Sequence, residues 1–296
     1  MTRLQADLAL LLVALIWGAA FVAQKDAMSH VGPYTFVAAR FGLSALLVLP
    51  LAWREHVRGV TIPKSLYPEL GFLCIAFIGG VVFQQAGLVR TSVTNAGFLT
   101  GLYVLFVAII CRVVYKQELS KLVFPAAFLS VVGIGLLSGG LDMSHMNMGD
   151  VLVLCCAVAF GFQVALVGRI MGKTKAPFRV CFLQYITVAL ACLVPALMEQ
   201  PTYGGIMKAG WAILYAGAIS GGIAYTLQVI AQQHTPASDS AVIMSGESVF
   251  AAIFGIWLMG DRLTLAGGIG CALIIAAILM VEFSPMLFKP KRSALL

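Results

Sequence analysis

Residues 79–106 are GGVVFQQAGLVRTSVTNAGFLTGLYVLF, and residues 221–250 repeat their plan as GGIAYTLQVIAQQHTPASDSAVIMSGESVF. Each stretch begins with a glycine pair followed by an aromatic residue, Phe83 in the first and Tyr225 in the second. Further pairs follow at a constant offset of 144 residues: Thr91 with Thr235, Gly97 with Ala241, Leu119 with Leu263, and Ser120 with Thr264. An offset that stays fixed over so many positions indicates an internal duplication.

The duplication extends toward both ends of the chain. Pro33-Tyr34 opens an apolar run in the same way as Pro177-Phe178, and Trp17-Gly18 is echoed by Phe160-Gly161. We therefore predict two halves of one design, an arrangement that is frequent among membrane transporters.

The composition indicates whether the surface of the chain contacts water or lipid. Of the 296 residues, 61% are hydrophobic and only 10% are charged, and the mean hydropathy is +0.99. Soluble domains are about 45–50% apolar and about 25% charged. The chain has too little polar surface to coat a water-soluble domain, so we predict an all-α integral membrane protein in contact with the lipid bilayer.

Ten stretches with few or no charges approach the ~20 residues that a helix needs to cross the hydrocarbon core. Numbered spans 1 to 10, they cover residues 6–28, 33–53, 69–90, 92–114, 122–141, 149–168, 179–198, 209–232, 237–259 and 264–283. The halves, residues 1–141 and 149–296 with a connecting loop at 142–148, then hold five spans each. Because five is odd, the second half enters the membrane from the opposite side. We therefore expect ten transmembrane helices that form two inverted five-helix repeats around a central cavity.

The basic residues predict the orientation of the spans. With the N-terminus placed in the cytoplasm, fourteen lysines and arginines fall in inner segments, four in outer segments, and Arg40 within span 2. The outer four are Lys25, Arg90, Lys208 and Arg262. This split follows the positive-inside rule. We expect both termini in the cytoplasm, the protein in a bacterial inner membrane, and no nucleic-acid partner for the net charge of +7.

Cysteine and histidine do not form a metal-binding pattern. The seven cysteines lie in or beside apolar runs without C-x-x-C spacing, and the four histidines occupy connecting segments. We therefore expect no metal and no other cofactor. An enzyme is not expected either, because a catalytic centre needs a nucleophile with a base, a pair of acids or a metal cluster within the spans. A channel is disfavoured, since no ring of charges or selectivity filter is visible.

Two charged residues inside the spans are candidates for the chemistry of transport. Glu247 is the only acid deep inside a span, where a charge costs about 2.5–3.5 kcal/mol on insertion scales. It either contacts a substrate or exchanges protons, or it is a structural acid bonded to a neighbouring hydroxyl such as Ser245. Arg40 either binds a substrate carboxylate or pairs structurally and extends its stem toward the interface.

Further polar and aromatic residues are expected on the helix faces that meet at the centre. Tyr103 and Glu247 occupy corresponding positions in the two halves. The predicted substrate-binding set is Trp17, Gln24, Arg40, Gln85, Tyr103, Gln163, Tyr225, Gln228 and Glu247. Amides and aromatic rims suit a neutral or zwitterionic organic solute better than an inorganic ion or a polyanion, although each such side chain also suits interhelical packing.

Likewise Gly79, Gly80, Gly221 and Gly222 are either hinges or points of close packing.

Four motifs resemble those of a known family. They are WGAAFVAQK at 17–25, GPYTFVAARF at 32–41, FQQAGLVRTSVTNAGFLTGLYVLF at 83–106 and TLQVIAQQHTPASDSAVIMSGESVFAAIFGIWLMGDRLTL at 226–265. Together they are similar to the EamA branch of the drug/metabolite transporter superfamily, and among its members to the YddG-type amino-acid exporters. Two positions depart from that pattern, Asp261 in place of Glu and Ser248 in place of Pro. Without the proline, the sequence predicts no break of span 9 at Ser248.

The resemblance and the predicted repeat lead to one functional expectation. They imply a secondary transporter that works by alternating access and moves small organic metabolites, with export of amino acids across the inner membrane as the main hypothesis. The alternative is an importer or exporter of organic cations or drugs, for which Glu247 and the aromatic residues would form the site. Neither the exact substrate nor the oligomeric state follows from the sequence.

Overall fold

A computed structural model of the chain describes residues 1–91, 93–138, 146–254, 256–257 and 263–287, and at 21, 22, 25, 93–95 and 285–287 it describes the backbone alone. Within these ranges every regular element is a helix and no strand occurs. The following predicted features lie outside the described residues: most of the connecting loop at 142–148, Asp261, Arg262, Lys289, Lys291 and Arg292.

In chain order, the described residues form the helices α1 Arg3–Ala27, α2 Pro33–Val57, α3 Tyr67–Leu88, α4 Val93–Gly101, α5 Tyr103–Ile109, α6 Val123–Leu137, α7 Met148–Met171, α8 Pro177–Met198, α9 Tyr203–Lys208, α10 Gly210–Leu214, α11 Thr226–Ala231, α12 Ala237–Met244, α13 Glu247–Phe254 and α14 Leu265–Leu287. A 3₁₀ turn, Lys64–Leu66, precedes α3. Two π-helical segments also occur: Ile110–Val114 continues α5, and Tyr215–Tyr225 joins α10 to α11.

Eight described segments are long and apolar enough to cross a membrane. They are Arg3–Ala20, Pro33–Val57, Lys64–Leu88, Ala96–Val114, Met148–Met171, Pro177–Met198, Gly210–Ala231 and Leu265–Ser284. Each coincides with one of the predicted spans 1–4, 6–8 and 10. The protein is therefore an all-helical, multi-pass membrane protein in the part that the structure describes.

Two of the predicted spans, 5 and 9, do not match any of these eight segments. In span 5 the helix α6 has 15 residues and is about 22 Å long, which is less than the ~30 Å of a hydrocarbon core. Span 9 consists of two helices of 8 residues, α12 and α13, separated by residues 245 and 246. The sequence predicts no break at Ser248, but the helix is interrupted just before that position.

The interruption in span 9 has a local cause. The Ser245 hydroxyl donates to the carbonyl of Val242 at 2.6 Å, and the N–H of Gly246 reaches only three residues back, to Ile243. Side-chain hydrogen bonds of this kind compete with the regular helical ladder. A similar interruption separates α4 from α5 at Leu102, so Tyr103 and Glu247 each begin the helix that follows.

Helices α2 and α8 are antiparallel and cap one another. Both begin with a proline at the first helical position, where the missing N–H costs nothing. The carboxylate of Glu199, just after α8, accepts the N–H groups of Tyr34 and Thr35 at 3.0 and 2.8 Å. At the other end Glu55 of α2 accepts the N–H groups of Phe178 and Arg179 at 3.2 and 2.9 Å. Each helix thus supplies the acceptor that the other one's N-terminus needs.

A second matched contact joins the two predicted halves through glycines. A β-carbon built on Gly18 would lie 2.7 Å from Cβ of Phe250, and one built on Gly161 would lie 2.7 Å from Cβ of Phe106. Helix α1 therefore approaches α13 as closely as α7 approaches α5. Close contacts of this kind through small residues are typical of helices in lipid.

Candidate functional site

A buried cavity of about 50 Å³ lies where α1, α2, α3, α4, α5, α7, α13 and the π-helical segment meet. Its lining residues are Trp17, Ala20, Gln24, Arg40, Gln84, Thr100, Tyr103, Phe160, Gln163, Val164, Ser220, Tyr225 and Glu247. These residues come from both predicted halves. The cavity has room for about four water molecules, so a larger solute requires it to widen.

Seven of the nine predicted binding residues line this cavity, and Gln85 and Gln228 do not. The amide of Gln85 instead donates to the sulfur of Met28 at 3.2 Å, and its neighbour Gln84 reaches the cavity. Adjacent residues of a helix point about 100° apart, which explains why only one of this pair faces the centre. Gln228 is fully buried behind Gln163 and contacts it at 3.4 Å.

Arg40 is buried and bonded to neutral groups. Its Nε donates to the carbonyl of Ala216 at 3.1 Å, and its two terminal nitrogens donate to Gln24 and Ser220 at 3.3 and 3.0 Å. It makes no ion pair with any described residue. Of the five N–H groups of a guanidinium, these bonds use three.

The π-helical segment Tyr215–Tyr225 provides several of these acceptors. The carbonyl of Ala216 accepts from Arg40, that of Gly217 accepts from Ser44 at 2.7 Å, and that of Ser220 accepts from Trp17 at 3.2 Å. A wider helical turn alters the usual i to i−4 bonding, and side chains of α1 and α2 bond to its carbonyls. These bonds hold Arg40 and Trp17 against the second half of the chain.

Aromatic rings form one wall of the cavity. Trp17 and Tyr225 have ring centroids 4.6 Å apart, and Tyr225 also packs against Phe77 at 5.0 Å. Arg40 and Glu247 line the same cavity as Tyr225. The aromatic wall and both charged residues therefore border one cavity.

Tyr103 and Glu247 have unused hydrogen-bonding capacity. The Tyr103 hydroxyl is buried and has no partner in the described part of the chain. Glu247 is 8% exposed, and its carboxyl forms no hydrogen bond or ion pair with a described residue. Ser245, the expected structural partner of Glu247, instead donates to Val242 and contacts Ser130 at 3.2 Å. A polar group buried without a partner is costly unless a ligand or water satisfies it.

A chain of four buried glutamines leads away from the cavity. Gln163 donates to Gln184 at 3.1 Å, Gln228 donates to Gln163 and to Gln232, and Gln232 donates to the carbonyl of Val164. The network fixes the orientation of Gln163, which lines the cavity. It also explains why Gln228 forms part of the support rather than of the lining.

The glycine pairs differ in how closely they are packed. A β-carbon at Gly80 would lie 2.6 Å from the ring of Phe160, and one at Gly221 would lie 2.2 Å from the Ser44 hydroxyl oxygen. At Gly222 the nearest atom would be the Gly217 carbonyl at 3.2 Å, and at Gly79 it would be Ala159 at an ordinary 3.5 Å. Gly80 and Gly221 are therefore points of close approach in this structure.

The sequence-based set did not include six of the lining residues, Ala20, Gln84, Thr100, Phe160, Val164 and Ser220. The sequence could have indicated Phe160 and Thr100 as lining residues, because Phe160 is matched with Trp17 and Thr100 lies one turn before Tyr103. It could not have indicated Ser220 and Ala20, since small residues are common at all helix contacts in membranes.

Comparisons with known proteins agree with this architecture. The family model described as the EamA-like transporter family matches residues 4–139 and again residues 147–283. An uncharacterized transporter of Archaeoglobus fulgidus is 33% identical over 280 residues, which cover 95% of this chain and 86% of that protein. The threonine/homoserine exporter RhtA of Salmonella typhimurium is 31% identical over 273 residues, which cover 78% of this chain and 89% of that protein.

One solved crystal structure has the same fold. It superposes with a TM-score of 0.80 and covers 98% of this chain and all of its own, at 16% sequence identity. Such a low identity bears on the fold alone. Taken with the double match of the family model, the helical architecture and the buried polar cavity, these similarities show that the chain is a membrane transporter of the EamA-like transporter family.

Proposed function

We propose that the protein is a secondary transporter that exports amino acids by alternating access across the cytoplasmic membrane, with both termini in the cytoplasm. The observation that carries this proposal is the buried cavity, which combines one cation, Arg40, and one acid, Glu247, with amide and aromatic groups. Transporter sites typically lie near the midplane at the interface between repeats. A cavity with one charge of each sign suits a zwitterion better than a simple cation or anion.

An inverted repeat makes alternating access possible, and two observations support such a repeat in this chain. The family model matches the chain twice. The reciprocal caps also obey the offset of 144, because Tyr34, Thr35 and Glu55 correspond to Phe178, Arg179 and Glu199. Equivalent residues that exchange places at opposite ends of an antiparallel helix pair imply a two-fold axis between α2 and α8.

Two equivalent contacts lie outside the lining of the cavity, and we infer that they close its two ends. Thr91, between α3 and α4, donates to Asp150 at the start of α7. Thr235, between α11 and α12, donates to Asp7 near the start of α1 at 2.5 Å. The threonines correspond at the offset of 144 and the aspartates at 143. In the proposed topology the first pair closes the outer end and the second closes the inner end.

The inner closure carries ionic contacts in addition. Arg3 contacts Asp239 at 2.7 Å and Asp7 at 3.4 Å. These contacts tie the start of α1 to the start of α12. We infer that the inner end is held more firmly and that opening it requires these contacts to break.

The alternative substrate class is an organic cation. Glu247 and the aromatic wall favour it, because a carboxylate and ring faces attract quaternary ammonium groups. Arg40 opposes it, because a fixed positive charge in the same small cavity repels a second one. The name of a relative, threonine/homoserine exporter, also favours amino acids for this chain.

A transport assay separates the two substrate classes. Purified protein in proteoliposomes is tested for counterflow of labelled neutral amino acids, with unlabelled amino acids or quaternary ammonium compounds as competitors, and with or without an imposed pH gradient. We expect amino acids to compete and quaternary ammonium compounds not to. Competition by the ammonium compounds alone would replace the proposed substrate class with the alternative.

A labelling assay tests alternating access. The seven native cysteines are replaced, and a reporter cysteine is placed at Ala20, which lines the cavity. Thr91→Val removes the outer hydroxyl at nearly constant size and should raise labelling by an impermeant maleimide from outside. Thr235→Val should raise labelling from inside.

The control for both threonine variants is Thr187→Val, because the Thr187 hydroxyl donates to carbonyls of its own helix, Leu183 and Gln184, and takes part in neither closure. It should leave labelling from either side unchanged. If both gate variants increase labelling from the same side, or neither does, alternating access through these closures is excluded.

A further inference from the structure

We propose, building on the proposed function, that the cavity binds its substrate as a dipole. The α-carboxylate of an amino acid contacts Arg40, and its α-ammonium group contacts Glu247 and the hydroxyl of Tyr103. The site therefore selects zwitterions that carry both groups on one carbon atom.

The carboxylate end follows from the way in which Arg40 is held. Its three protein acceptors, Gln24, Ala216 and Ser220, are all neutral. Arg40 is 4% exposed, lines the cavity and has two N–H groups without an acceptor among the described residues. A guanidinium held by neutral dipoles keeps its charge and part of its donor capacity for an anion. A carboxylate is the anion that matches paired N–H donors.

The ammonium end follows from two groups that have no partner. Glu247 offers carboxyl oxygens, and the buried Tyr103 hydroxyl offers an oxygen that no described residue uses. An ammonium group has three donors and no acceptor, so these oxygens suit it. Glu247 and Tyr103 also occupy equivalent positions, each at the first residue after a helix interruption, which brings them to the cavity from opposite halves.

Glu247 and Arg40 do not neutralise one another. No ion pair joins them among the described residues, although both line the same cavity. A direct ion pair would neutralise both side chains, so a charged ligand would gain little electrostatic attraction from them. Separated charges in a buried cavity instead attract a ligand that bears the complementary charges at its two ends.

The size of the cavity limits the side chain of the amino acid that it can bind. At about 50 Å³ it has room for about four waters, so the bound substrate fills a slightly widened form of it. We therefore expect amino acids with short side chains to bind better than those with aromatic side chains, since the Trp17–Tyr225 wall already occupies one side.

The test uses L-threonine and two smaller analogues in proteoliposomes. 1-Aminopropan-2-ol lacks the carboxylate, and 3-hydroxybutanoate lacks the ammonium group, so a weaker effect of either one cannot be due to size. Each should compete with labelled L-threonine at least tenfold less well than unlabelled L-threonine, because each leaves one buried charge of the site without its partner. If L-threonine is not transported, the best amino acid of the panel and its own decarboxylated and deaminated forms are used.

Variants assign the two ends. Arg40→Gln should abolish the preference for L-threonine over 1-aminopropan-2-ol and leave its preference over 3-hydroxybutanoate. Glu247→Gln should do the reverse. The control is Glu55→Gln, which alters a buried carboxylate that bonds to backbone N–H groups outside the cavity, and it should change neither preference. If Arg40→Gln fails to fold, the Glu247→Gln variant and the two analogues still test the proposal.

The outcomes separate this inference from the proposed function. Equal competition by either analogue in the unaltered protein, or unchanged preferences in a folded variant, would overturn the dipolar site while amino-acid transport stands. Absence of transport of every amino acid in the panel would overturn the proposed function and the dipolar site together.

Discussion

The reciprocal caps of α2 and α8 allow a stability prediction with a magnitude. In Glu199→Gln one carboxylate oxygen becomes an NH₂ group, so one of the N–H groups of Tyr34 and Thr35 loses its acceptor. A hydrogen bond to a charged group is worth about 1.5–3 kcal/mol, and the negative charge at a helix N-terminus adds about 0.3–1 kcal/mol. We expect Glu199→Gln to lower the free energy of unfolding by about 2–4 kcal/mol.

The equivalent change at the other end provides an internal comparison. Glu55→Gln should cost a similar amount, although Glu199 also accepts from the Thr35 hydroxyl at 2.7 Å and Glu55 has no such partner. The two caps are separated by about 32 Å of helix, so the double variant should show additive losses. The assay is unfolding in mixed detergent micelles with increasing dodecyl sulfate, followed by circular dichroism.

The control for the cap variants is Glu118→Gln, which changes an exposed glutamate in a connecting segment and should alter stability by less than about 0.5 kcal/mol. If both cap variants behave like the Glu118 control, the carboxylates do not stabilise the helix pair. A loss in the double variant far from the sum would show that the caps are not independent.

Three further predictions concern transport and topology. Glu247→Gln should leave the protein in the membrane, because Gln is cheaper to bury, while it lowers transport and flattens the pH profile of the rate; a folded variant with unaltered rates at every pH would reject a role for this acid. Gly80→Leu should reduce transport more than membrane insertion, since even a β-carbon would lie 2.6 Å from Phe160, whereas Gly79→Ala meets only an ordinary contact and should transport normally; equal rates for the two variants would contradict this. Reporter fusions should place both termini in the cytoplasm, as the distribution of basic residues requires, and an external reporter at either end would contradict the inverted arrangement.

The sequence was sufficient to predict the helical membrane architecture. The low charge content and the lengths of the apolar runs identify eight spans that the structure also contains. These features depend on the transfer of residues from water to lipid, which is a property of composition. The family resemblance, based on motifs in both halves, is confirmed by the double match of the family model.

Helix rotation could be predicted only in part. On α3 the residues that face lipid are as apolar as those that face the core, so the pattern does not indicate whether Gln84 or Gln85 points to the cavity. By contrast the position of Tyr103 and Glu247 at the cavity could be anticipated, because the predicted repeat aligns the two residues with one another. The interruption at residues 245 and 246 could not be foreseen, since a serine that bonds to its own helix produces it without a proline.

The long-range caps could also have been predicted from the sequence. Glu55 and Glu199 are separated by the same 144 residues as the aligned threonines, so an alignment of charged residues alone would have paired them. Their function could not be read from one helix, because each carboxylate caps the N-terminus of the other helix.

One of these caps can form only late in the synthesis of the chain. Thr35 lies 164 residues before Glu199, and a ribosome adds about 5–20 residues per second. The N-terminus of α2 therefore waits roughly 8–30 s after its own synthesis before its acceptor exists. During that interval lipid headgroups, water or the insertion machinery must satisfy its free N–H groups. A chain stopped before Glu199 would therefore keep the N-terminus of α2 without its carboxylate acceptor.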